Sequence, residues 1–238
     1  MFLKRIELQH EQIPSYNQYP FSIPSIKNLH RLDLQNKITF FVGENGSGKS
    51  TLLEAIADKC QFNTAGGGRN NYYDVQSSES ALGEYIRLSW LPKVSNGFFL
   101  RAKSFYHFAS HIDDVGASDA YGGRSLHNQS HGESFLSLFL NRFNGRGIYL
   151  LDEPEAALSP QRQLSFLRIL HDLVLSGDSQ FIIATHSPIL LGYPNATILS
   201  FDHGAIKEID YEMTDHYQIT RYFLENRERF LREIFDEK

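Results

Sequence analysis

Apolar residues follow two rhythms along this chain. Three short runs rich in β-branched and aromatic residues, at 37–42, 147–152 and 180–185, read as strands covered on both faces. Between them lie stretches with apolar residues at helical spacing, at 51–57, 134–143 and 161–175. Residues 2–9 alternate loosely, as an edge strand does, and 11–24, rich in Pro, Tyr and Asn, read as a loop. Stretch 26–34 leads into the strand at 38. Further strands are predicted at 84–91 and 97–105, and a hairpin where 197–201 and 205–209 flank Asp202-His203-Gly204. The glycine loop at 65–71 and the Gly-, Ser-, Asn- and His-rich stretch at 116–131 break the periodicity, so 61–128 reads as an inserted lobe. From about His216 the chain is helical and highly charged, and 211–238 reads as a helical tail. Strands alternating with helices predict an α/β fold with a mostly parallel central sheet, helices on both faces and N-terminal antiparallel strands. Chain 1–238 is expected to form one domain. Ligands of such sheets bind at the carboxyl ends of the strands.

At the end of the first buried strand stands Gly43-Glu44-Asn45-Gly46-Ser47-Gly48-Lys49-Ser50-Thr51, which fits G-x-x-x-x-G-K-[ST], the phosphate-binding loop of P-loop NTPases. Strand, glycine loop and helix aim backbone N–H groups and a helix N-terminus at an anion. Gly43, Gly46 and Gly48 let the backbone approach phosphates closely. Lys49 is expected to reach the β- and γ-phosphates, and Ser50 to place its hydroxyl on Mg²⁺. The competing reading is a glycine turn that merely joins strand to helix.

Two further strands also end in chemistry. Asp152 and Glu153 close the run at 147–152, and His186 follows the run at 180–185. Asp152 suits a metal anchor, and Glu153 suits polarisation of an attacking water. Acids there also suit a helix N-terminus. His186 is placed to hydrogen-bond a γ-phosphate, although a His before Ser-Pro also serves as a turn residue. Tyr16, Tyr19 and Phe21 lie upstream of the phosphate loop, where an aromatic stacks on a base or packs in an N-terminal sheet.

Bulk properties narrow the class. Net charge of −5 argues against a large basic nucleic-acid surface. Cys60 is the single cysteine, which excludes a disulfide framework and a thiolate zinc site and makes a cytoplasmic setting the default. The first residues carry charges where a signal peptide is apolar, and no apolar stretch approaches the length of a membrane span. Any service to a membrane machine would pass through a partner subunit.

The phosphate loop, Leu150-Leu151-Asp152-Glu153-Pro154 and Thr185-His186-Ser187 together resemble the ABC-type ATPases. The wording from Phe41 to Ala57, with Asp152-Glu153-Pro154-Glu155-Ala156-Ala157-Leu158-Ser159, is similar to small stand-alone bacterial ATPases labelled AAA family, related to the SMC and RecF-like branch. The family carries a signature near Leu-Ser-Gly-Gly-Gln ahead of the Asp-Glu strand. Here Ser130-His131-Gly132-Glu133-Ser134 holds that place, with His131 for the first glycine and Glu133 for the glutamine. The resemblance implies a homodimer that sandwiches two Mg-ATP, with Ser130, Gly132 and Glu133 of one protomer covering the phosphate loop of the other. It also implies that Ala156-Ala157-Leu158-Ser159 passes between the two sites. The family's glutamine loop has no glutamine here; Arg101, Lys103 and Ser104 are candidates for its role.

Hydrolysis would then let the dimer open. Three outputs compete: an ATPase module with an effector protein in DNA repair or phage defence, the nucleotide-binding subunit of a transporter, and an ATP-dependent dimerisation module with little turnover. DNA stands as a candidate partner, with Arg69 and Arg124 in glycine-rich loops able to reach it. Adenine over guanine rests on the resemblance.

Overall fold

A computed structural model describes residues 1–69, 81–102, 105–114, 131–143, 145–176 and 179–235. Two sheets organise it. Strand β1 (Leu3–Leu8) pairs antiparallel with β2 (Arg31–Asp33) on one side and with β4 (Ile86–Trp90) on the other. The second sheet has six strands, in the order β5 (Gly97–Arg101), β6 (Gly147–Asp152), β7 (Ser179–Ala184), β3 (Ile38–Val42), β8 (Thr197–Ser200) and β9 (Lys207–Glu208). All pairs from β5 to β8 are parallel. The hairpin partner β9 runs antiparallel to β8, with Leu199 opposite Glu208.

The central strands β3, β6 and β7 are buried at every position because both faces are covered. Alternate residues separate into two cores, as the period of two requires. Phe41, Leu150, Ile182 and Leu199 face one core, which also holds Leu52, Leu53 and Ile56 of α2 (Lys49–Lys59) and Ile6 and Ile86 of the antiparallel sheet. Phe40, Leu151, Ile183 and Ile198 face the other. There they meet α3 (Phe105–Asp114), α4 (His131–Arg142), α5 (Pro160–Leu175) and α6 (Pro188–Leu191). Phe139 sits in a ring cluster, its centroid 4.2 Å from that of Phe143 and 4.6 Å from that of Phe166.

The stretch 61–128, expected as an inserted lobe, gives a strand to each sheet: β4 pairs with β1, and β5 forms the edge beside β6. A short helix α1 (Pro24–Lys27) begins where the expected N-terminal loop ends, packing Ile26 into the core. The charged tail forms α7 (Asp215–Glu225) and α8 (Arg227–Ile234). Among the described residues, no helix is long and apolar enough to cross a membrane.

Candidate functional site

Every parallel strand sends a polar residue from its carboxyl end to one edge of the sheet. Strand β3 runs into the glycine loop, β6 into Glu153, β7 into Thr185-His186 and β8 into Asp202, while β5 ends at Arg101, in register with Asp152. Strands β6, β7 and β3 are neighbours, so their loops start about 5 Å apart. The three sequence motifs therefore meet at one place.

The loop is built on positive φ angles. Gly48, at +103°, caps α2, and a Cβ there would strike Ser25 Oγ at 2.7 Å. Ser25 in turn donates to the Ser47 carbonyl, which pins the loop from below. Gly43, at +140°, has no room for a Cβ beside Asp202, whose Oδ1 accepts from the Glu44 amide at 2.9 Å. Lys49 is only 4% exposed, and its ammonium donates to the carbonyls of Gly43 (2.6 Å) and Glu44 (2.9 Å). Burial holds its pKa below the ordinary lysine value, against the pull of Asp202, Glu153, Asp152 and Glu44.

A cavity of about 490 Å³ opens over this loop. Asn45, Gly46, Gly48, Lys49, Ser50 and Thr51 form one wall, and Glu153, Glu155, Ala156 and His186 form the other. Gly43 and Glu44 lie behind the wall as partners of Lys49. Ser50 Oγ donates to Asp152 Oδ1 at 2.8 Å, so the two expected metal-binding oxygens already face each other. Arg101 reaches the same carboxylate, Nε to Oδ2 at 3.4 Å, and also Glu54 at 3.3 Å. Glu54 lies one turn beyond Ser50 on α2 and is 5% exposed. Burial pushes its carboxyl up to about 7, despite the Arg101 guanidinium.

Glu153 adopts a left-handed backbone (φ 53°, ψ 50°), a strained conformation for a non-glycine residue. It turns the chain so that its side chain lines the cavity. The strain is held by its amide, which donates to the Ala184 carbonyl at 2.9 Å, and by Pro154 at the start of the following 3-10 turn. The His186 turn is fixed from three sides. Its amide donates to Glu155 Oε1 at 2.6 Å, the Ser187 amide donates to Thr185 Oγ1, and Ser187 Oγ donates to buried Gln163. Burial raises the Glu155 carboxyl. His186 Nδ1 lies 2.9 Å from Nε2 of His216, and His186 Nε2 is buried without a hydrogen-bond partner. Burial and the nearby Lys49 charge hold both imidazoles below the ordinary histidine value.

Of the expected signature residues, Gly132 and Glu133 are described. Gly132 and Glu133 open α4 away from the cavity; Glu133 pairs with Arg162 of α5 at 3.4 Å, and Arg162 leaves no room for a Cβ on Gly132. Ser130, Lys103, Ser104 and Arg124 lie outside the described residues. Of the upstream aromatics, Phe21 is buried against Tyr85 and Tyr16 bonds to His10. Tyr19 alone of the three is exposed, at 60%, with its hydroxyl 3.3 Å from Thr51 Oγ1.

Sequence reasoning did not include Glu54, Glu155, Asp202 or His216 in the site. The position of Glu54, four residues after Ser50, was a usable signal. Nothing marked His216 within a charged tail.

Residues 20–94 match the AAA domain family, and residues 132–191 match the AAA ATPase domain family. In fold, the chain resembles MJ1267, an ATP-binding cassette of an ABC transporter, with a TM-score of 0.51 at 16% identity over 87% of this chain and 91% of that one. The chain shares the fold of an ATP-binding cassette. The ADP conformation of MJ1267 aligns over 100% of both chains at 15% identity, with a TM-score of 0.50. An SMC head domain from Thermotoga maritima aligns over 88% of this chain and 100% of its own, at 18% identity and a TM-score of 0.49. No curated protein matches it.

The donor set fits Mg-ATP. The phosphate loop turns on Gly43, Gly46 and Gly48 at positive φ, Lys49 supplies a buried cation, and the Nε2 of His186 lacks a partner. Among the described residues, no cluster of three His, Cys, Asp or Glu could hold a metal by itself. A magnesium ion would thus rely on Ser50, Asp152 and phosphate oxygens.

Proposed function

We propose that this protein hydrolyses ATP and uses the cycle as a switch between an ATP-closed homodimer and open protomers. The observation that supports it best is the meeting of Lys49, the Ser50–Asp152 pair, Glu153 and His186 around one cavity. The loop amides from Gly46 to Thr51 and the N-terminus of α2 bind the phosphates, and Lys49 exchanges its carbonyl partners for phosphate oxygens. Ser50 and Asp152 would hold magnesium, which would supply neutralisation of charge on the phosphates. Glu153 orients a water and takes its proton as the γ-phosphoryl group leaves ADP. His186 donates to that group. Tyr19, exposed beside Thr51, stacks on the adenine.

Arg101 takes the place of the family's glutamine, because it ends β5 within reach of Asp152. The whole chain works as one ATPase unit, into which 61–128 is tied by β4 and β5 and to which 211–238 adds a helical tail. Gly132 and Glu133 stand clear of their own cavity, which suits a role, together with Ser130, over the nucleotide of a second protomer. The switch acts on an effector protein in DNA repair or phage defence, a reading that rests on the resemblance of the motif wording.

Light scattering with and without Mg-ATP tests the proposal, using the wild type and Glu153→Gln. The variant should bind ATP, turn over about 10²- to 10⁴-fold more slowly, and double in mass only with ATP. A variant that binds ATP while its mass stays constant overturns the sandwich. Unchanged turnover overturns the role of Glu153.

A further inference from the structure

We infer that His216, on the tail helix α7, is a positioning residue that makes His186 a donor to the γ-phosphate and so lets the tail read which nucleotide is bound. This rests on the reading of the cavity as an ATP site. His186 Nδ1 and His216 Nε2 are 2.9 Å apart. At that separation one nitrogen donates and the other accepts, because two facing N–H groups repel. The other ring nitrogen of His186 is buried, lacks a partner, and belongs to a residue that lines the cavity. Phosphate oxygens only accept, so His186 Nε2 must carry a proton to bind them. In a neutral imidazole Nδ1 is then bare. His216 must supply the donor to it. The depressed basicity of both rings agrees with a neutral pair.

The placement of His216 is built into the fold. Thr214, buried at the N-cap of α7, accepts from the Tyr217 amide and donates to the Tyr211 carbonyl at 2.7 Å. Tyr211 donates through its hydroxyl to the carbonyl of Pro188, two residues past His186, at 2.9 Å. The start of α7 is therefore tied to the turn that carries His186. A γ-phosphate on Nε2 strengthens the His186–His216 bond by polarising it, whereas ADP offers no such group. ATP and ADP should thus hold α7 differently.

The test measures affinity for Mg-ATP and Mg-ADP by calorimetry in a Glu153→Gln background, with His216 intact, His216→Leu and His216→Gln. Leucine removes the donor, while glutamine keeps an N–H of similar reach. We expect His216→Leu to weaken Mg-ATP about 10-fold, a charge-assisted hydrogen bond's worth, with Mg-ADP changed less than about twofold. His216→Gln should recover most of the loss. Preserved ADP binding shows that the variant is folded. Equal weakening of both nucleotides, equal losses in Leu and Gln, or unchanged ATP binding each overturns the role of His216 and leaves the ATP site intact. If the intact His216 protein binds neither nucleotide, the ATP-site reading fails and takes this inference with it.

Discussion

Replacing Glu54 by glutamine should change how stability depends on pH. The side chain is 5% exposed on α2, and its ion pair to Arg101 is long, at 3.3 Å. Burial, with Asp152 and Asp58 adding to it, raises the carboxyl from 4.5 to about 7. A carboxyl raised in the folded state stabilises fully below its unfolded pKa and loses that contribution as pH climbs through the folded value. From about pH 5 to about pH 8 this amounts to about 2.5 kcal/mol, since each pH unit between the two values is worth about 1.4 kcal/mol. Glutamine has nothing to titrate. Urea unfolding of both proteins at about pH 5, 6.5 and 8 isolates the effect, because other titrating groups cancel in the difference. The variant should gain on the wild type by about 2.5 kcal/mol over that range. A difference flat with pH refutes the reasoning. It would mean that Arg101 keeps Glu54 ionised throughout and that burial does not dominate.

Two further substitutions probe separate layers. Tyr19→Ala removes the exposed ring beside Thr51; it should leave stability nearly unchanged but raise the Mg-ATP dissociation constant about 5- to 100-fold by titration calorimetry. Phe139→Ala empties a site ringed by Phe135, Phe143 and Phe166; it should cost about 3–5 kcal/mol in chemical denaturation.

Some of this architecture could be read from composition and spacing. The runs at 37–42, 147–152 and 180–185 have apolar residues on both alternating faces, as a doubly covered strand requires, and each runs directly into its polar loop. The phosphate loop was legible because glycine spacing is a backbone demand rather than a packing one. What stayed hidden depends on distance in sequence. Strand β5 looked like part of a lobe, since nothing local says that Gly97 will lie beside Ile148. Glu155 reads as one acid among several, yet the fold brings it under the His186 amide. His216 was lost in a charged helix, because its partner is set by the packing of α7 on α6 and not by its neighbours in the chain.

Strand β3, which carries the phosphate loop, has β7 on one side and β8 on the other. It comes early in the chain, while Phe181 and Ile198, the residues paired with Ile38 and Phe40, come late. During synthesis, therefore, the most recognisable segment of the protein waits without a neighbouring strand until β7 or β8 has left the ribosome. Non-local parallel pairing of this kind makes folding slow and leaves apolar edges exposed meanwhile. Phe40 and Phe41 are the residues a chaperone would meet in that interval. Nucleotide cannot speed their burial, since its binding cleft is completed only when β6, β7 and β3 come together.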